Sequence, residues 1–166
     1  MTTKEADALM QKIAHGDNDA FCEFYNLTVK GVFSFAYSYL GNREDAEDVT
    51  QSAYLAVKRK AYTYQSGTNA RAWLLQIVKN LALDELRKRR RTGELTEERA
   101  GEFTDNTALS YMLAELSDEE REIVVLHVFW GYRHREIAKL LNKPLGTITW
   151  KYNAEVKKLE KYGKEA

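Results

Sequence analysis

Residues 134–162 read HREIAKLLNKPLGTITWKYNAEVKKLEKY, and this stretch decides the fold. The pattern predicts a short helix over 134–141, a turn at Asn142-Lys143-Pro144 and a longer helix over 145–162. One side of the longer helix is apolar and should pack inward, through Ile148, Tyr152, Val156 and Leu159. The opposite side is polar and basic. Two helices joined by a tight turn in this way are typical of a helix-turn-helix, and the alternative is an ordinary helical hairpin with a solvated lysine face.

Helical periodicity continues through most of the chain. Apolar residues recur on one face of the segments 21–40, 43–62, 70–91 and 118–130. Asn42 is expected to cap the second of these helices, and Ser117 with Glu120 has the spacing of a capping box before the last. Pro144 is the single proline, and no strand-turn-strand spacing recurs. The sequence therefore predicts an all-α fold.

A linker is predicted between two helical parts. Between Thr92 and Asn106 the apolar content falls to Leu95, Phe103 and two small residues, and five acids stand among Thr, Gly and Asn. Such a composition cannot bury enough surface to order itself. We expect two small helical domains, residues 1–91 and 107–166, joined by a flexible acidic linker over 92–106.

The charge distribution is uneven although its sum is zero. The 166 residues hold 25 basic and 25 acidic side chains. Residues 1–50 have a net charge of −5, residues 51–91 of +8, residues 92–130 of −8 and residues 131–166 of +5. A neutral sum argues against a simple polyanion binder, but the blocks indicate separate interaction surfaces.

Several classes of protein are excluded. Cys22 is the single cysteine, so neither an internal disulfide nor a cysteine zinc site is expected. His15, His127 and His134 are dispersed, and nucleotide-binding and nucleophile motifs are absent, so we expect no enzyme, no metal and no cofactor. The first residues are polar and the longest uncharged run, 31–42, is too short to span a bilayer. We expect a cytoplasmic protein without membrane insertion.

The basic block interleaves aromatic rings with cations. It contains Tyr54, Lys58, Arg59, Lys60, Tyr62, Tyr64, Arg71, Trp73 and Lys79, and closes on the run 87–91, RKRRR. Rings offer stacking platforms for unpaired bases, cations track phosphates, and the polar loop 65–69 could hold an extruded base. The alternative is that Trp73 is a core residue and that the basic run favours a helix C-terminus. Together with the helix-turn-helix, the block favours contact with both single-stranded and duplex DNA.

A third pattern is acidic. Glu44, Asp48, Gln51 and Leu55 recur on the face of the 43–62 helix opposite its apolar stripe, with Tyr54 beside them. Acids in a first turn complement the helix dipole. An exposed Leu and Tyr beside carboxylates equally suit a protein-docking surface. These residues alone leave both readings open.

Three ordered motifs carry a family resemblance from about Ala20 to Tyr162. They are the run 42–51, NREDAEDVTQ; the run 71–74, RAWL, with Ile77, Asn80, Asp84 and Arg87; and Leu116-Ser117 with 120–122, Gly131, 136–138 and 146–148. In this order they resemble the polymerase-binding, −10 and −35 segments of bacterial sigma factors. The chain thus resembles the sigma-70 family, specifically its extracytoplasmic-function group.

The resemblance implies a transcription initiation factor, an alternative sigma factor. Such a protein binds core RNA polymerase and directs it to promoters by recognising a −35 duplex and a melted −10 element. Its implied partners are core RNA polymerase, duplex and single-stranded promoter DNA, and an anti-sigma factor. The rival hypothesis is a stand-alone helix-turn-helix regulator that binds duplex DNA without polymerase.

The resemblance also implies three sets of residues. The residues expected to bind core polymerase are Glu44, Asp45, Asp48, Gln51, Tyr54 and Leu55. Those expected at the −10 element are Tyr62, Tyr64, Ser66, Asn69, Arg71, Trp73, Lys79, Asn80, Arg87 and Lys88. Those expected at the −35 element are Arg133, Thr147, Thr149, Trp150, Lys151, Asn153 and Lys157.

Four positions depart from the family pattern. Arg133 stands where a Ser or Thr cap is usual, Lys151 and Ala154 where Arg is common, and Glu155 where a small residue is common. Loss of two arginines weakens the grip on phosphates and bidentate reading of guanine. The −35 sequence is therefore left open.

Overall fold

A computed structural model describes residues 1–93, 103, 105 and 107–165, with side chains as far as Lys158. Regular structure in these residues is entirely helical, which confirms the predicted all-α fold. The helices are α1 Thr3–Ala14, α2 Asn18–Leu40, α3 Arg43–Lys60, α4 Ala70–Thr92, α5 Ala108–Ala114, α6 Asp118–Val128, α7 His134–Leu140 and α8 Leu145–Glu165. A short 3-10 turn, Ala61–Thr63, follows α3. No helix in the described residues is long and apolar enough to cross a membrane.

The predicted helix starts are confirmed by their capping bonds. The Asn42 side chain accepts a hydrogen bond from the backbone N–H of Asp45 at 2.9 Å, at the start of α3. At the start of α6, the Ser117 N–H donates to the Glu120 carboxylate at 2.9 Å, and the Glu120 N–H donates back to the Ser117 hydroxyl at 3.4 Å. Each bond satisfies a backbone group that a helix end leaves unpaired.

The N-terminal half, α1–α4, is a bundle around the long helix α2. Its fully buried side chains include Phe24 and Val32 of α2, Val57 of α3, and Leu74 and Val78 of α4. These come from the apolar faces predicted by the helical period. Their burial fixes the opposite faces of α3 and α4 toward solvent or toward the second half.

The C-terminal half, α5–α8, contains the helix-turn-helix. The turn between α7 and α8 is closed by the Lys143 N–H, which donates to the Ala138 carbonyl at 2.9 Å, and Asn142 takes a left-handed φ of 51°. Ile148 is fully buried, as predicted. Tyr152 and Val156 are half-buried, and the side chain of Leu159 lies outside the described residues.

The two halves are in contact. Helices α2 and α4 pack against α6 and against Trp130, which is buried. The buried apolar side chains form one cluster that runs through both halves. Most of the predicted linker 92–106 lies outside the described residues, but the Phe103 ring packs on Tyr37, with ring centroids 5.4 Å apart. The domain boundaries remain a prediction.

Candidate functional site

The outer face of α3 carries the acidic pattern. Glu44, Asp48, Gln51 and Leu55 are all exposed, and 54% of the Leu55 surface is accessible. Beside them an open groove between α2 and α3 is lined by Tyr25, Val29, Lys30, Phe33, Glu47 and Gln51. Sequence reasoning missed the contribution of α2. Exposed Tyr25 and Leu27 on an otherwise core-forming helix are the signal that could have revealed it.

Tyr54 and Asp45 do not share this face. Tyr54 is only 4% exposed, and its hydroxyl shares a 2.7 Å hydrogen bond with the Thr28 hydroxyl of α2. Burial raises the pKa of Tyr54 well above its ordinary value. The expectation of an exposed Tyr54 beside the acids is therefore wrong, because this ring fills the packing between α2 and α3. Asp45 is half-buried and forms an ion pair with Arg89 of α4.

Aromatic residues and a polar loop connect α3 to α4. Tyr62 is 77% exposed. Tyr64 is half-buried: its ring packs on Trp73 with centroids 5.6 Å apart, and its hydroxyl donates to Asp7 at 2.5 Å. Burial and this bond to a carboxylate raise the pKa of Tyr64 to about 12. Of these three rings Tyr62 is therefore the most exposed, while Tyr64 and Trp73 pack on one another.

The loop 65–68 is exposed and is held at both ends. Asn69 adopts a left-handed φ of 75° and caps α4 by accepting the Ala72 N–H at 3.2 Å. Asp7 of α1 accepts the Ala70 N–H at 2.7 Å, and Gln11 of α1 donates to Ser66. Asp7 is a positioning residue that sequence reasoning missed. No short-range signal could have found it, since it lies more than fifty residues from its partners.

The predicted −10 cations of α4 fall into two groups. Arg87 and Lys88 are exposed, and Arg87 pairs within its own helix with Asp84 at 2.7 Å. Asn80 is also exposed. Lys79 and Arg71 instead face the C-terminal half. The Lys79 ammonium lies 2.9 Å from the Glu122 carboxylate, and the Arg71 guanidinium lies 4.4 Å from the centre of the Tyr132 ring.

The predicted −35 residues line α8 and the start of α7. Trp150 is 70% exposed, and Asn153, Lys157 and Arg133 are exposed as well. Thr147 and Thr149 are half-buried. The ring, amide and ammonium groups of the exposed residues can reach phosphates and base edges.

Acidic residues of α6 form ion pairs with lysines of α8 and of the turn before it. Glu119 pairs with both Lys143 and Lys151, and these two ammonium groups hold the pKa of the Glu119 carboxyl below its usual value. Lys151, expected on the outer face, is thereby only partly exposed. Lys158 pairs with Glu120 at 3.2 Å.

Glu155 is a fully buried acid in α8. It is 0% exposed, and neither carboxylate oxygen has a hydrogen-bond partner among the described residues. Burial, with the charge of Glu120 beside it, raises the pKa of Glu155 to about 8. A small residue would fill the same place without this desolvation.

Taken together, these features are those of an all-helical DNA-binding protein. It has a helix-turn-helix in its C-terminal half and a separate surface of aromatic and basic residues along α4 and the segment before it. Two sigma-70 family models match the chain: Sigma-70 region 2 over residues 24–92 and Sigma-70, region 4 over residues 107–149. They cover about two thirds of the sequence. The chain belongs to the sigma-70 family, in its extracytoplasmic-function group, and it is an alternative sigma factor that directs RNA polymerase in transcription initiation.

Individual relatives agree with this assignment. The chain is 23% identical over 161 residues to the ECF RNA polymerase sigma factor SigW of Bacillus subtilis, covering 84% of this chain and 86% of that protein. It is 28% identical over 162 residues to SigK of Mycobacterium tuberculosis, covering 88% and 87%. The fold matches that of CnrH, solved in complex with the cytosolic domain of CnrY, with a TM-score of 0.70, 22% identity and coverage of 97% and 98%.

Proposed function

We propose that this sigma factor divides its work between three surfaces. The exposed face of α3, defined by Glu44, Asp48, Gln51 and Leu55, docks on core RNA polymerase. This proposal is supported by the exposure of all four side chains on a helix whose opposite face is buried. The protein then acts in the cytoplasm, where the polymerase lies. In this proposal residues 1–91 and 107–166 are separate domains.

The second surface opens and holds the −10 element. Tyr62 supplies an exposed ring on which an unpaired base stacks, and the exposed loop 65–68 receives a base drawn from the duplex. Trp73 and Tyr64, whose rings pack on one another, lie at the two ends of the same loop. Arg87 and Lys88 contact the phosphates of the strand along α4. Arg71 and Lys79 contact it as well when they leave their present partners, Tyr132 and Glu122.

The third surface reads the −35 duplex. Helix α8 enters the major groove with Trp150 and Asn153 toward the bases and Lys157 toward the backbone. Arg133 contacts the backbone at the start of α7. Lys151 joins this surface by exchanging the Glu119 carboxylate for a phosphate.

An anti-sigma factor is the third proposed partner. CnrH, which shares this fold, was solved in complex with the cytosolic domain of CnrY. An anti-sigma segment that covers the α3 face or α8 would keep this chain from polymerase and promoter.

The test of the docking surface is a double variant. Asp48→Ala with Gln51→Ala should lose most of its affinity for core RNA polymerase and keep its helical circular dichroism, because both side chains are exposed and neither is a helix cap. A matched control is Asn18→Ala with Asp19→Ala, which removes an exposed amide and carboxylate from α2. Affinity is measured by titrating labelled chain with purified core enzyme.

Two results would contradict the proposal. If the double variant keeps its affinity for core RNA polymerase, Asp48 and Gln51 only stabilise the helix. Tight, specific duplex binding by the free chain, without any complex with core enzyme, would favour the stand-alone regulator.

A further inference from the structure

The N-terminal helix α1 closes the polar loop 65–69 with a single oxygen atom. Oδ1 of Asp7 accepts a hydrogen bond from the Tyr64 hydroxyl at 2.5 Å and another from the Ala70 N–H at 2.7 Å. Tyr64 directly precedes the loop and Ala70 directly follows it. The two ends of the loop are therefore joined through one carboxylate, although Asp7 lies 57 and 63 residues away from them in the sequence.

Both bonds are of a kind that holds its geometry. Hydrogen bonds to an ionised carboxylate are roughly twice as strong as those between neutral groups. The Ala70 N–H belongs to the first turn of α4, where a helix leaves its N–H groups without partners inside the helix. Ala70 is fully buried, and an unpaired donor is costly in such a place. The Asp7 carboxylate therefore fixes both the start of α4 and the loop before it.

The middle of the loop is shaped by a turn and by a second side chain of α1. The Gln65 carbonyl accepts hydrogen bonds from the Thr68 N–H at 3.2 Å and from the Thr68 hydroxyl at 2.6 Å. The Gln11 side-chain amide donates to the Ser66 hydroxyl. The first four loop residues are nevertheless exposed, and a Cβ atom built on Gly67 meets no atom within 4 Å. The loop thus has a fixed shape and borders open space.

We propose that α1 is part of the site that receives the base drawn from the −10 duplex. Asp7 is a positioning residue, because it holds the loop in one shape before DNA arrives. Gln11 is a specificity-determining residue, because its exposed amide is bonded to Ser66 and therefore lies beside any base that this hydroxyl contacts. The inference rests on the proposed −10 role of the loop, and it adds a helix that precedes the matched segment 24–92.

The chemistry of these two side chains suits the reading of a base. An extruded base is recognised by hydrogen bonds to its Watson–Crick edge. The Ser66 hydroxyl still has its O–H to donate after it accepts the bond from Gln11, and the Gln11 amide also carries an acceptor oxygen. A donor and an acceptor from two different helical segments thus border the same space. Removing Gln11 should change which base is preferred there.

The expected effect of Asp7 follows from preorganisation. When the loop already has its bound shape, the incoming base does not have to order it. A loop that adopts this shape in only a fraction of molecules reduces the apparent affinity by that fraction. If Asp7→Ala leaves about one loop in ten in the bound shape, a single strand should bind about ten times more weakly.

The experiment uses the full chain bound to core RNA polymerase. The wild-type complex first selects its preferred strand from single-stranded DNA with about twelve randomised positions. A fluorescein-labelled copy of that strand is then compared with copies in which each base in turn is removed, leaving an abasic sugar. The position at which removal weakens binding most marks the received base.

The variants should differ at this one position. Asp7→Ala should bind the intact strand about tenfold more weakly, and removal of the received base should then cost little more. Asp7→Asn keeps an Oδ1 acceptor for both donors and should retain most of the affinity. Gln11→Ala should select other bases at the received position and the same bases elsewhere. Asp19→Ala, at an exposed carboxylate of α2, is the matched control and should behave as the wild type.

Failure of the inference is distinguishable from failure of the proposed function. An Asp7→Ala complex that keeps the full penalty for the missing base would overturn the positioning role, whatever its overall affinity. An unchanged base preference in Gln11→Ala would overturn its role in specificity. A wild-type complex that is indifferent to every abasic site would refute the proposed −10 function of the loop, and the inference with it.

Folding of each variant is checked by circular dichroism and by a separate titration with core RNA polymerase. Should Asp7→Ala fail to fold, Tyr64→Phe gives the same test, because it removes one of the two bonds to Asp7 and leaves the ring in place. It should lower the affinity for the intact strand and reduce the penalty for the missing base. An unchanged penalty in a folded Tyr64→Phe complex would likewise overturn the positioning role.

Discussion

Glu155 provides the sharpest quantitative prediction. Its carboxylate is fully buried in α8, lacks a hydrogen-bond partner among the described residues and lies near Glu119, Glu120, Lys151 and Lys158. The substitution Glu155→Gln keeps the shape of the side chain and removes its ionisation. It should therefore change how the stability of the protein depends on pH.

The magnitude follows from the raised pKa. Below about pH 4.5 the carboxyl is protonated in both the folded and the unfolded state, so it contributes no pH dependence. As the pH rises toward about 8, the Glu155 carboxyl ionises in the unfolded state but stays protonated in the folded state. The free energy of unfolding therefore falls by at most about 1.4 kcal/mol per pH unit. The loss reaches about 3 kcal/mol at pH 7 and levels off near 5 kcal/mol above pH 8. Relaxation around the charge makes these figures upper bounds.

The assay is urea unfolding followed by circular dichroism at several pH values between 5 and 8. The stability of Glu155→Gln relative to the wild type should increase steadily with pH over this range. The comparison uses the slope because the buried amide has its own unpaired groups, which cost about 1–3 kcal/mol at every pH. Glu115→Gln, at an exposed carboxylate, should show no such slope. A constant difference between Glu155→Gln and wild type across the range would refute the reasoning.

Two further predictions concern single side chains. Tyr54→Phe should lose about 1 kcal/mol of stability in urea unfolding, because it removes the hydroxyl bonded to Thr28. Its affinity for core RNA polymerase should stay unchanged. A loss of core affinity without loss of stability would place Tyr54 in the interface. Lys151→Ala should weaken −35-dependent initiation in vitro and lower the salt slope of promoter binding by about 1, with core affinity intact. An equal loss of initiation and core binding would contradict the separate role of α8.

Much of the fold could be predicted because its signals are local. The capping bonds of Asn42 and Ser117, the helix over α2 and the turn at 142–144 each depend on residues within five positions of one another. Hydrophobic period and cap chemistry act at that range. The exposed acidic face of α3 follows from the same period.

Hydrophobic period and cap chemistry do not predict contacts between segments that are far apart in the sequence. Tyr54 sits near the acidic face in a helical projection, yet its ring is drawn into the core by Thr28 and Tyr25 of another helix. Lys79 is bound to an acid 43 residues away. Charge and spacing identify such a cation as available for DNA, but the partner that occupies it is set by how the two halves pack.

Part of the balance between basic and acidic blocks is a set of direct ion pairs made by α6. Glu122 pairs with Lys79 from the first basic block, while Glu119 and Glu120 pair with Lys151 and Lys158 from the second. One acidic helix thus compensates cations on both proposed DNA-reading surfaces. In the proposed DNA complex Lys79 and Lys151 would each exchange a carboxylate for a phosphate, and part of the electrostatic gain would then be cancelled by the ion pair that breaks. The free chain should consequently hold nonspecific DNA weakly.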